Sequence, residues 1–523
     1  MIKRIVVLAS ALVLSQMVYA DKYQENWASL SAHKQAPEWF KDAKFGIYFH
    51  WGPYSVPAYG NEHYPRTMYG HPTGKKPIEN SKKRNYNLGV GFQTYREHEH
   101  HKQVFGEPKD FEYHDLIPQF TASNFNAEEW ADLFYLSGAK FAGPVAEHHD
   151  GYSMWDSALT PWNAKDTGPK RDVVGEMANA IRKREMKFIT TFHHAKGGDP
   201  GTEVGKKRRQ WHYYGREQYM LRNNPQFKDS SDLRKLYGSM PRDEWLAMWN
   251  GKLAEVIDNY QPDMIWFDSW LDRIPEKNRQ QFAAYYLNAA QSWNKEVMIT
   301  YKQEDMPDSV GVVDFEKGRM DKSTPYSWLT DDTISAGTWT TTGSWSYTEE
   351  LQIKSSKEIV HTLIDIVSKN GQLLLNISPK ANGVIPKAQK ESLLGVGRWL
   401  RGNGEAIYNT RPYVIYGEGP KRLKSSGHFV EMDGEYNEDN IRFTTNDSTI
   451  YAIQMGWPGS HKKVIISTLS KQQLKGVEIT KVSVVDSPET IKWQLTAQGL
   501  EIISPFKAPN KMALAYKIET IVL

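Results

Sequence analysis

Cysteine is absent from all 523 residues of this chain. The absence excludes disulfide bonds, thiolate zinc sites and cysteine nucleophiles. Chemistry in this protein must therefore rest on its other ionisable side chains, which number 65 Lys and Arg, 62 Asp and Glu, and 16 His.

A strong excess of charge of one sign is also missing, because the formal net charge is only +3 at pH 7. This balance argues against nucleic-acid binding through a general basic field. The mean hydropathy of -0.64 excludes a polytopic membrane protein. Aromatic residues make up 12% of the chain and include 18 Trp. Planar aromatic faces often pack against sugar rings, although core packing is the commoner role of any single Trp.

The first 20 residues have the pattern of a secretory signal peptide. Lys3 and Arg4 precede the apolar stretch 5–14, and Val18-Tyr19-Ala20 provides the small residues of a cleavage site. The apolar stretch is too short to span a membrane comfortably. We therefore expect cleavage after Ala20, a periplasmic or secreted protein, and no membrane anchor.

A chain of this length predicts one large domain and a smaller one. Between about 44 and 401, segments of helical periodicity alternate with short apolar runs at 45–49, 140–145, 187–192, 264–267, 297–301, 310–315 and 372–377. Such alternation indicates parallel βα units. Seven or eight units over roughly 380 residues favour a TIM-like (β/α) barrel, which we assign to residues 21–410.

Polar side chains stand at the end of each of these apolar runs. Active sites of TIM barrels lie at the carboxyl ends of the strands, so the pattern predicts a site there. The strand-end residues are His50, Glu147 to Asp150, His193, His194, Asp268, Lys302, Glu316 and Asn376.

The pattern of apolar and polar residues changes after residue 410. Residues 411–523 contain short alternating runs at 441–445, 450–454, 464–467 and 482–485, separated by Gly, Asn, Asp and Ser. This pattern predicts a small antiparallel β-sandwich that packs against the barrel.

An insertion at about 59–111 separates the first strand from the first convincing helix. It contains the basic residues Lys75, Lys76, Lys82, Lys83 and Arg84, and the His-rich run 96–102. Long loops in compact domains are often functional, and a basic loop near the barrel mouth would suit an acidic substrate. A solvated charged surface is the competing interpretation.

The clustered histidines admit a metal site, but two observations disfavour one. Adjacent residues on a strand point to opposite sides, so His148 and His149 would not share an ion there. No HExxH or comparable ligand spacing is present. We expect neither a metal nor another cofactor.

Glycoside hydrolysis by two carboxyl groups is the alternative chemistry. Asp268 ends an apolar strand and is the best candidate nucleophile, with Trp266 beside it. Glu316 follows Phe315, and an apolar neighbour helps to keep a carboxylic acid protonated. Glu304 and Asp331 are the other candidates for the acid. The imidazoles then serve as hydrogen-bond partners for sugar hydroxyls.

Three separated motifs have a recognisable order. They are the segment 44–58 with His50-Trp51-Gly52, the segment Glu147 to Gly151, and the segment Asn370 to Asn376 followed by Gly383 to Pro386. Together they resemble the α-L-fucosidases of glycoside hydrolase family 29 over nearly the whole mature length. The resemblance implies a TIM-like barrel followed by a β-sandwich, no metal, and retaining hydrolysis of α-L-fucosides.

The resemblance also implies roles for individual residues. Asp268 matches the family nucleophile in its Trp-x-Asp context. His63, His193 and Lys302 depart from the family, where Trp, Tyr and Arg are common. The substrate-binding residues that we predict are His50, Glu62, His63, His148, His149, His193, Trp266 and Lys302.

We therefore expect an exported, retaining, exo-acting α-L-fucosidase. Its substrates would be fucosylated oligosaccharides or polysaccharides, including sulfated fucans, and it would have no nucleic-acid partner. An α-L-galactosidase-like glycosidase and a non-catalytic sugar-binding barrel protein are the alternatives. Linkage and oligomeric state are not indicated by the sequence.

Overall fold

The computed structural model describes residues 22–69, 96–198, 213–214, 229–337, 344–430 and 435–523. The predicted signal peptide at 1–20 lies outside the described residues. So do the basic residues of the insertion, Lys75, Lys76, Lys82, Lys83 and Arg84.

Eight parallel strands form a closed barrel in which each strand pairs with the next and the last pairs with the first. The predicted TIM-like fold is thereby confirmed. The strands are β1 Phe45–Phe49, β2 Phe141–Glu147, β3 Lys187–Phe192, β4 Met264–Phe267, β5 Met298–Lys302, β6 Val312–Asp314, β7 Trp328–Thr333 and β8 Gly371–Ile377.

Helices surround the barrel and precede it. They are α1 Trp27–Leu30, α2 Glu38–Ala43, α3 Tyr64–Thr67, α4 Arg96–Val104, α5 Tyr113–Leu116, α6 Ala127–Leu136, α7 Val173–Arg182, α8 Ser231–Tyr237, α9 Arg242–Tyr260, α10 Glu276–Ser292, α11 Ser356–Val367 and α12 Lys387–Asn403. In the described part of the chain, none of the helices has both the length and the apolar character that a bilayer crossing requires.

The strand β7 is the one that the apolar-run criterion misses. Four of the six residues in its sequence Trp-Leu-Thr-Asp-Asp-Thr are polar, yet all six are buried. Asp331 and Asp332 tolerate burial because Lys302 and Lys354 lie 3.2 and 2.7 Å from their carboxylates. A search for apolar runs does not detect such a strand, because the lysines that stabilise its buried carboxylates are distant in the sequence.

The connections β5–β6 and β6–β7 contain no helix over residues 303–311 and 315–327. On this side the barrel is covered by other parts of the chain. The N-terminal segment contributes His33, whose ring nitrogen hydrogen-bonds the Val310 carbonyl at 2.6 Å. The C-terminal region contributes His428, whose ring lies 5.6 Å from that of Phe315.

The interior of the barrel is filled by apolar side chains that leave the carboxyl ends of the strands polar. Tyr48, Ile189, Trp266, Met298 and Leu329 belong to this inner cluster and are fully buried. This packed layer forms a rigid floor for the polar residues above it.

The C-terminal region forms two antiparallel sheets, as predicted. The five-stranded sheet has the order β13-β16-β11-β10-β9 and the three-stranded sheet the order β12-β15-β14. Their strands are β9 Arg411–Glu418, β10 Ile441–Asn446, β11 Thr449–Gln454, β12 Lys463–Ile466, β13 Val477–Val484, β14 Trp493–Leu495, β15 Leu500–Ile503 and β16 Leu514–Val522. A buried ion pair joins this region to the barrel, with Arg442 Nε donating to Asp365 Oδ1 over 2.8 Å.

The His-rich run of the insertion is helical rather than a loop, because Arg96–Val104 forms α4. His98 hydrogen-bonds the Met68 carbonyl at 2.7 Å, and His101 hydrogen-bonds the Phe111 carbonyl at 2.8 Å. These two imidazoles therefore attach α4 to the segments that contain Met68 and Phe111.

Candidate active site

The structure brings the predicted polar residues together at the carboxyl end of the barrel. Each member is in ring contact with another member or has a polar atom within 3.6 Å of one. The group comprises His50, Glu62, His63, His148, His149, His193, Trp266, Asp268, Lys302 and Glu316.

Asp268 follows β4, and its carboxylate is surrounded by nitrogen atoms of lysine and histidine side chains. Its Oδ2 lies 3.1 Å from Lys196 Nζ, 3.3 Å from His149 Nε2 and 3.5 Å from His193 Nδ1. Its Oδ1 lies 3.3 Å from Lys302 Nζ. Burial alone would raise the pKa of Asp268, but the charges of Lys196 and Lys302 hold it well below its ordinary value. The carboxylate is therefore ionised at neutral pH.

The turn after Asp268 is held by a buried carboxylate. Asp305 Oδ2 accepts hydrogen bonds from the backbone N–H groups of Trp270 and Leu271 at 2.7 and 2.8 Å. Trp270 adopts a left-handed conformation with φ of 79°, which is unfavourable for a bulky residue. These bonds compensate that conformation and fix the direction in which Asp268 leaves its strand.

Lys302 is the last residue of β5, and its ammonium group joins the acidic residues of the site. Besides Asp268, its Nζ lies 3.0 Å from Glu316 Oε2 and 3.2 Å from Asp331 Oδ2. Burial would lower the pKa of Lys302, but the surrounding carboxylates raise it well above its ordinary value. Lys302 is therefore a permanent buried cation.

Glu316 lies two residues beyond β6, and its protonation differs from that of Asp268. Burial raises the pKa of Glu316 to about 7, with Lys302 opposing the rise and the charges of Asp331 and Asp268 adding to it. Below about pH 7 the site thus holds one carboxylate beside one carboxylic acid. Pairs whose environments separate their pKa values in this way are typical of acid/base catalysis.

The two other candidates for the acid are less suitably placed. Asp331 lies within β7, is 1% exposed, and accepts a hydrogen bond from the Tyr48 hydroxyl at 3.1 Å. It therefore lies beneath Lys302. Glu304 is exposed in the turn after β5, whereas Glu316 lies 3.0 Å from Lys302 Nζ within the site. The geometry favours Glu316.

His50 has a defined tautomer. Its Nδ1 lies 2.8 Å from Asn376 Oδ1, while the amide of Asn376 donates to the Trp345 carbonyl at 2.7 Å and to Thr333. The Asn376 oxygen must therefore accept, so His50 Nδ1 carries the proton and Nε2 is an acceptor. Burial lowers the pKa of His50 well below its ordinary value, which keeps the ring neutral.

His148 and His193 leave ring nitrogens unsatisfied. Among the described residues, His148 Nδ1 and His193 Nε2 are buried without a hydrogen-bond partner. Burial lowers the pKa of both rings, so both are neutral. Unsatisfied buried polar atoms are costly, and here they point to a ligand rich in hydroxyl groups.

His149 connects the imidazoles to Asp268. Its Nδ1 donates to the His193 carbonyl, so the neutral ring presents Nε2 as an acceptor to Asp268 Oδ2 at 3.3 Å. Burial lowers the pKa of His149 to about 3, so the ring is neutral at pH 7. Two acceptors facing each other in this way favour a shared hydroxyl donor from a ligand.

The expectation that His148 and His149 face opposite sides is wrong. The strand ends at Glu147, so neither histidine is subject to strand alternation. Their ring centroids lie 4.6 Å apart, and both border the site.

Glu62 and His63 line another wall. Glu62 Oε2 accepts the Trp345 N–H at 2.9 Å, and burial raises the pKa of this carboxyl group. The His63 ring is nearly parallel to that of His149, with centroids 5.6 Å apart. These residues form the edge of the pocket beside His149 and Trp345.

Trp266 lies beneath the polar residues rather than among them. The side chain is fully buried, with Lys302 Nζ 4.8 Å above its ring and the His193 ring 5.1 Å away. It supports the cation and the imidazole in this conformation. Direct contact between Trp266 and a sugar stays a prediction.

Two overlapping groups have ligand atoms that would reach one metal ion. The first group is His50, His148 and His193, and the second is His149, His193 and Asp268. Within each group the ligand atoms lie within 4.8 Å of one another. Lys196 and Lys302 already supply positive charge to Asp268. We therefore assign no catalytic role to a metal ion.

Sequence reasoning missed three residues that border the site. Lys196 lies in a short 3₁₀ turn after β3, and its nearness to a strand end could have revealed it. The Trp345 ring packs at a tilt against that of His50, with centroids 5.4 Å apart, and His428 comes from the C-terminal region. No local signal identifies Trp345 or His428.

Comparison with known proteins agrees with this arrangement. The family described as alpha-L-fucosidase matches residues 10–405, and the family described as alpha-L-fucosidase C-terminal domain matches residues 434–519. Tissue alpha-L-fucosidase of Rattus norvegicus is 30% identical over 497 residues, covering 93% of this chain and 90% of the relative. Tissue alpha-L-fucosidase of Homo sapiens is 29% identical, covering 94% and 89%.

Solved structures show the same relationship. The Thermotoga maritima alpha-fucosidase in complex with fucose is 27% identical and superposes with a TM-score of 0.68, covering 95% of this chain and 100% of the other. These matches confirm the α-L-fucosidase activity and the family expected from the motifs. The chain belongs to the α-L-fucosidases of glycoside hydrolase family 29.

Proposed function

We propose that this α-L-fucosidase is an exported, exo-acting enzyme that retains the anomeric configuration, with Asp268 as nucleophile and Glu316 as acid/base. The observation that carries retention is the shared contact of both carboxyl groups with Lys302 Nζ, at 3.3 and 3.0 Å. Because one ammonium group contacts both carboxyl groups, their nearest oxygens are closer together than roughly 6.5 Å, the smallest separation of the two carboxyl groups in inverting enzymes.

The reaction then runs in two displacements. Asp268 attacks the anomeric carbon, forming a fucosyl ester as the glycosidic C–O bond breaks, and Glu316 donates its proton to the leaving oxygen. The Glu316 carboxylate next removes a proton from water, whose oxygen attacks the same carbon and releases Asp268. Lys302 keeps Asp268 ionised and lies beside both groups throughout.

The imidazoles are proposed to bind the fucose hydroxyls. His50 Nε2 and His149 Nε2 act as acceptors, and the nitrogens of His148 and His193 that lack protein partners complete the set. His50, His148 and His149 are each at most 3% exposed. A pocket of this depth suits a terminal sugar, which supports exo action.

Export and substrate size are proposed from the sequence. Lys3 and Arg4, the apolar stretch 5–14 and Ala20 support a cleaved signal peptide and a periplasmic or secreted location. The basic residues of the insertion support fucosylated oligosaccharides or polysaccharides, including sulfated fucans. N-terminal sequencing of the exported protein should begin at Asp21. A retained N-terminus would contradict export by this route.

Retention is tested by following the first product with proton NMR before mutarotation. α-L-Fucose is expected first, and β-L-fucose would overturn the mechanism. A fluorinated fucosyl fluoride that traps the ester should label the peptide containing Trp266 to Trp270, as read by mass spectrometry. Asp268→Asn is the control and should abolish the label.

A further inference from the structure

A loop of the C-terminal region lies directly on the segment that carries Glu316. The loop, residues 424–430, belongs to the connection between β9 and β10, whereas Glu316 follows β6 of the barrel. No helix occupies residues 315–327 of the barrel at this point. The contact therefore joins the two parts of the chain beside the catalytic residues.

Both backbone groups of Glu316 are bound by this loop. The Glu316 N–H donates to His428 Nδ1 at 3.0 Å, and the Glu316 carbonyl accepts the Phe429 N–H at 2.8 Å. Backbone groups control where a side chain starts, so this pair of bonds sets the position of the Glu316 carboxyl group.

Further contacts extend the attachment along the same segment. Gly427 forms an antiparallel bridge with Arg319, its N–H donating to the Arg319 carbonyl at 3.2 Å. The Ser426 hydroxyl lies 2.6 Å from Asp321 Oδ1. The approach is so close at Gly318 that a Cβ there would lie 1.9 Å from the Gly427 carbonyl oxygen. The two segments are thus fitted to each other.

The hydrogen bond to the Glu316 N–H fixes the protonation state of His428. Because Nδ1 accepts from a backbone N–H, the ring must be neutral with its proton on Nε2. Burial, followed by the nearby charge of Lys302, lowers the pKa of His428 to about 4, with Asp331 and Asp268 opposing. The ring thus stays an acceptor at neutral pH while it faces the charged residues of the active site.

We infer that the C-terminal region takes part in proton transfer, with His428 acting as a positioning residue for Glu316. This inference rests on the proposed role of Glu316 as acid/base. It assigns to the β-sheet region a catalytic contribution beyond packing against the barrel. Loss of the acceptor would let the Glu316 backbone shift, so the acid would donate its proton less effectively.

The test compares two substrates that differ in their need for a proton. A 2-chloro-4-nitrophenyl α-L-fucoside has a leaving group that departs without one, whereas a fucosyl disaccharide needs the acid. His428→Ala is expected to lower kcat/KM for the disaccharide by about ten- to hundredfold, as for a lost acceptor of a buried donor. The value for the aryl fucoside should change by less than about threefold.

Conservative variants separate positioning from folding. His428→Asn places an amide oxygen near the position of Nδ1 and should restore most of the disaccharide activity. His428→Gln places its oxygen further out and should not. His461→Ala, at an exposed histidine of the same region, is the matched control and should leave both substrates unaffected. Thermal unfolding checks each variant, and if His428→Ala does not fold, the Asn and Gln pair decides.

The outcomes separate this inference from the proposed function. Equal losses on both substrates, no loss on either, or equal behaviour of His428→Asn and His428→Gln would overturn the inference. Glu316→Ala is measured alongside. If the activity loss in Glu316→Ala does not depend on the leaving group, the acid/base assignment itself fails. If the loss depends on the leaving group in Glu316→Ala but not in His428→Ala, only the role of His428 fails.

Discussion

Replacing Lys302 with Met should move both limbs of the pH–activity profile, because this ammonium group contacts both catalytic carboxyl groups. At 3.0 to 3.3 Å, each attraction amounts to about 5 kcal/mol with an effective dielectric constant near 20. Lys302 lowers the pKa of Asp268 and opposes the rise of that of Glu316. Its removal therefore raises both pKa values.

The sign of the effect on activity follows from the role of each group. Asp268 must be ionised, so a higher pKa moves the acidic limb to higher pH. Glu316 must be protonated, so a higher pKa moves the basic limb upward from about 7. We expect each limb to move by about one pH unit or more, and the maximum activity to fall.

Stability should change in the same variant. Asp331 also lies 3.2 Å from Lys302 Nζ, so the substitution leaves both Asp331 and Asp268 without this buried cation. The free energy of unfolding at pH 7 is expected to fall by about 3 to 5 kcal/mol.

The measurement is kcat/KM across pH for a fucosyl disaccharide, whose leaving group needs the acid, with urea unfolding as a second readout. Lys302→Arg keeps the charge and is the control, whose limbs should stay near those of the wild type. Lys196→Met should affect mainly the acidic limb, because Lys196 contacts Asp268. An unchanged acidic limb in Lys302→Met would refute the proposed electrostatic role of this residue.

Three further predictions follow from the site and the insertion. Glu316→Ala should spare kcat/KM for an activated fucoside, and azide should accelerate its turnover to a fucosyl azide of unchanged configuration; neither Glu304→Ala nor Asp331→Ala should respond to azide, and such a response would reassign the acid/base. Prolonged chelation should leave activity intact. A loss of activity that one divalent metal reverses would contradict the assignment of the imidazoles to hydroxyl recognition, unless unfolding curves show that the metal acts on stability alone. Neutralising Lys75, Lys76, Lys82, Lys83 and Arg84 should raise KM for a sulfated fucan fragment but not for an aryl fucoside, and less so at high salt; equal effects on both would indicate destabilisation.

Much of the fold was predictable because its signals are local. Apolar runs at 45–49 and 264–267 correspond to β1 and β4 with the same boundaries. A strand buried on both faces must be apolar, and the polar residue that follows it must leave the barrel wall, so Asp268 is evident from its own neighbours. The motifs then indicated the family and activity, whereas the roles of the individual site residues stay predictions.

Other features depended on partners that lie far away in the chain. The polar strand β7 is stable only because Lys302 and Lys354 neutralise Asp331 and Asp332. His428 meets Glu316 across 112 positions of sequence. Local periodicity carries no information about such contacts.

The sequence by itself determined the alternation of strands and helices, the residues at the strand ends and the family. Only the tertiary structure decided which carboxyl group is ionised and which is protonated. The reason is that pKa values depend on burial and on charges within a few ångströms. Lys196, Lys302 and Asp331 reach Asp268 and Glu316 only when the barrel closes.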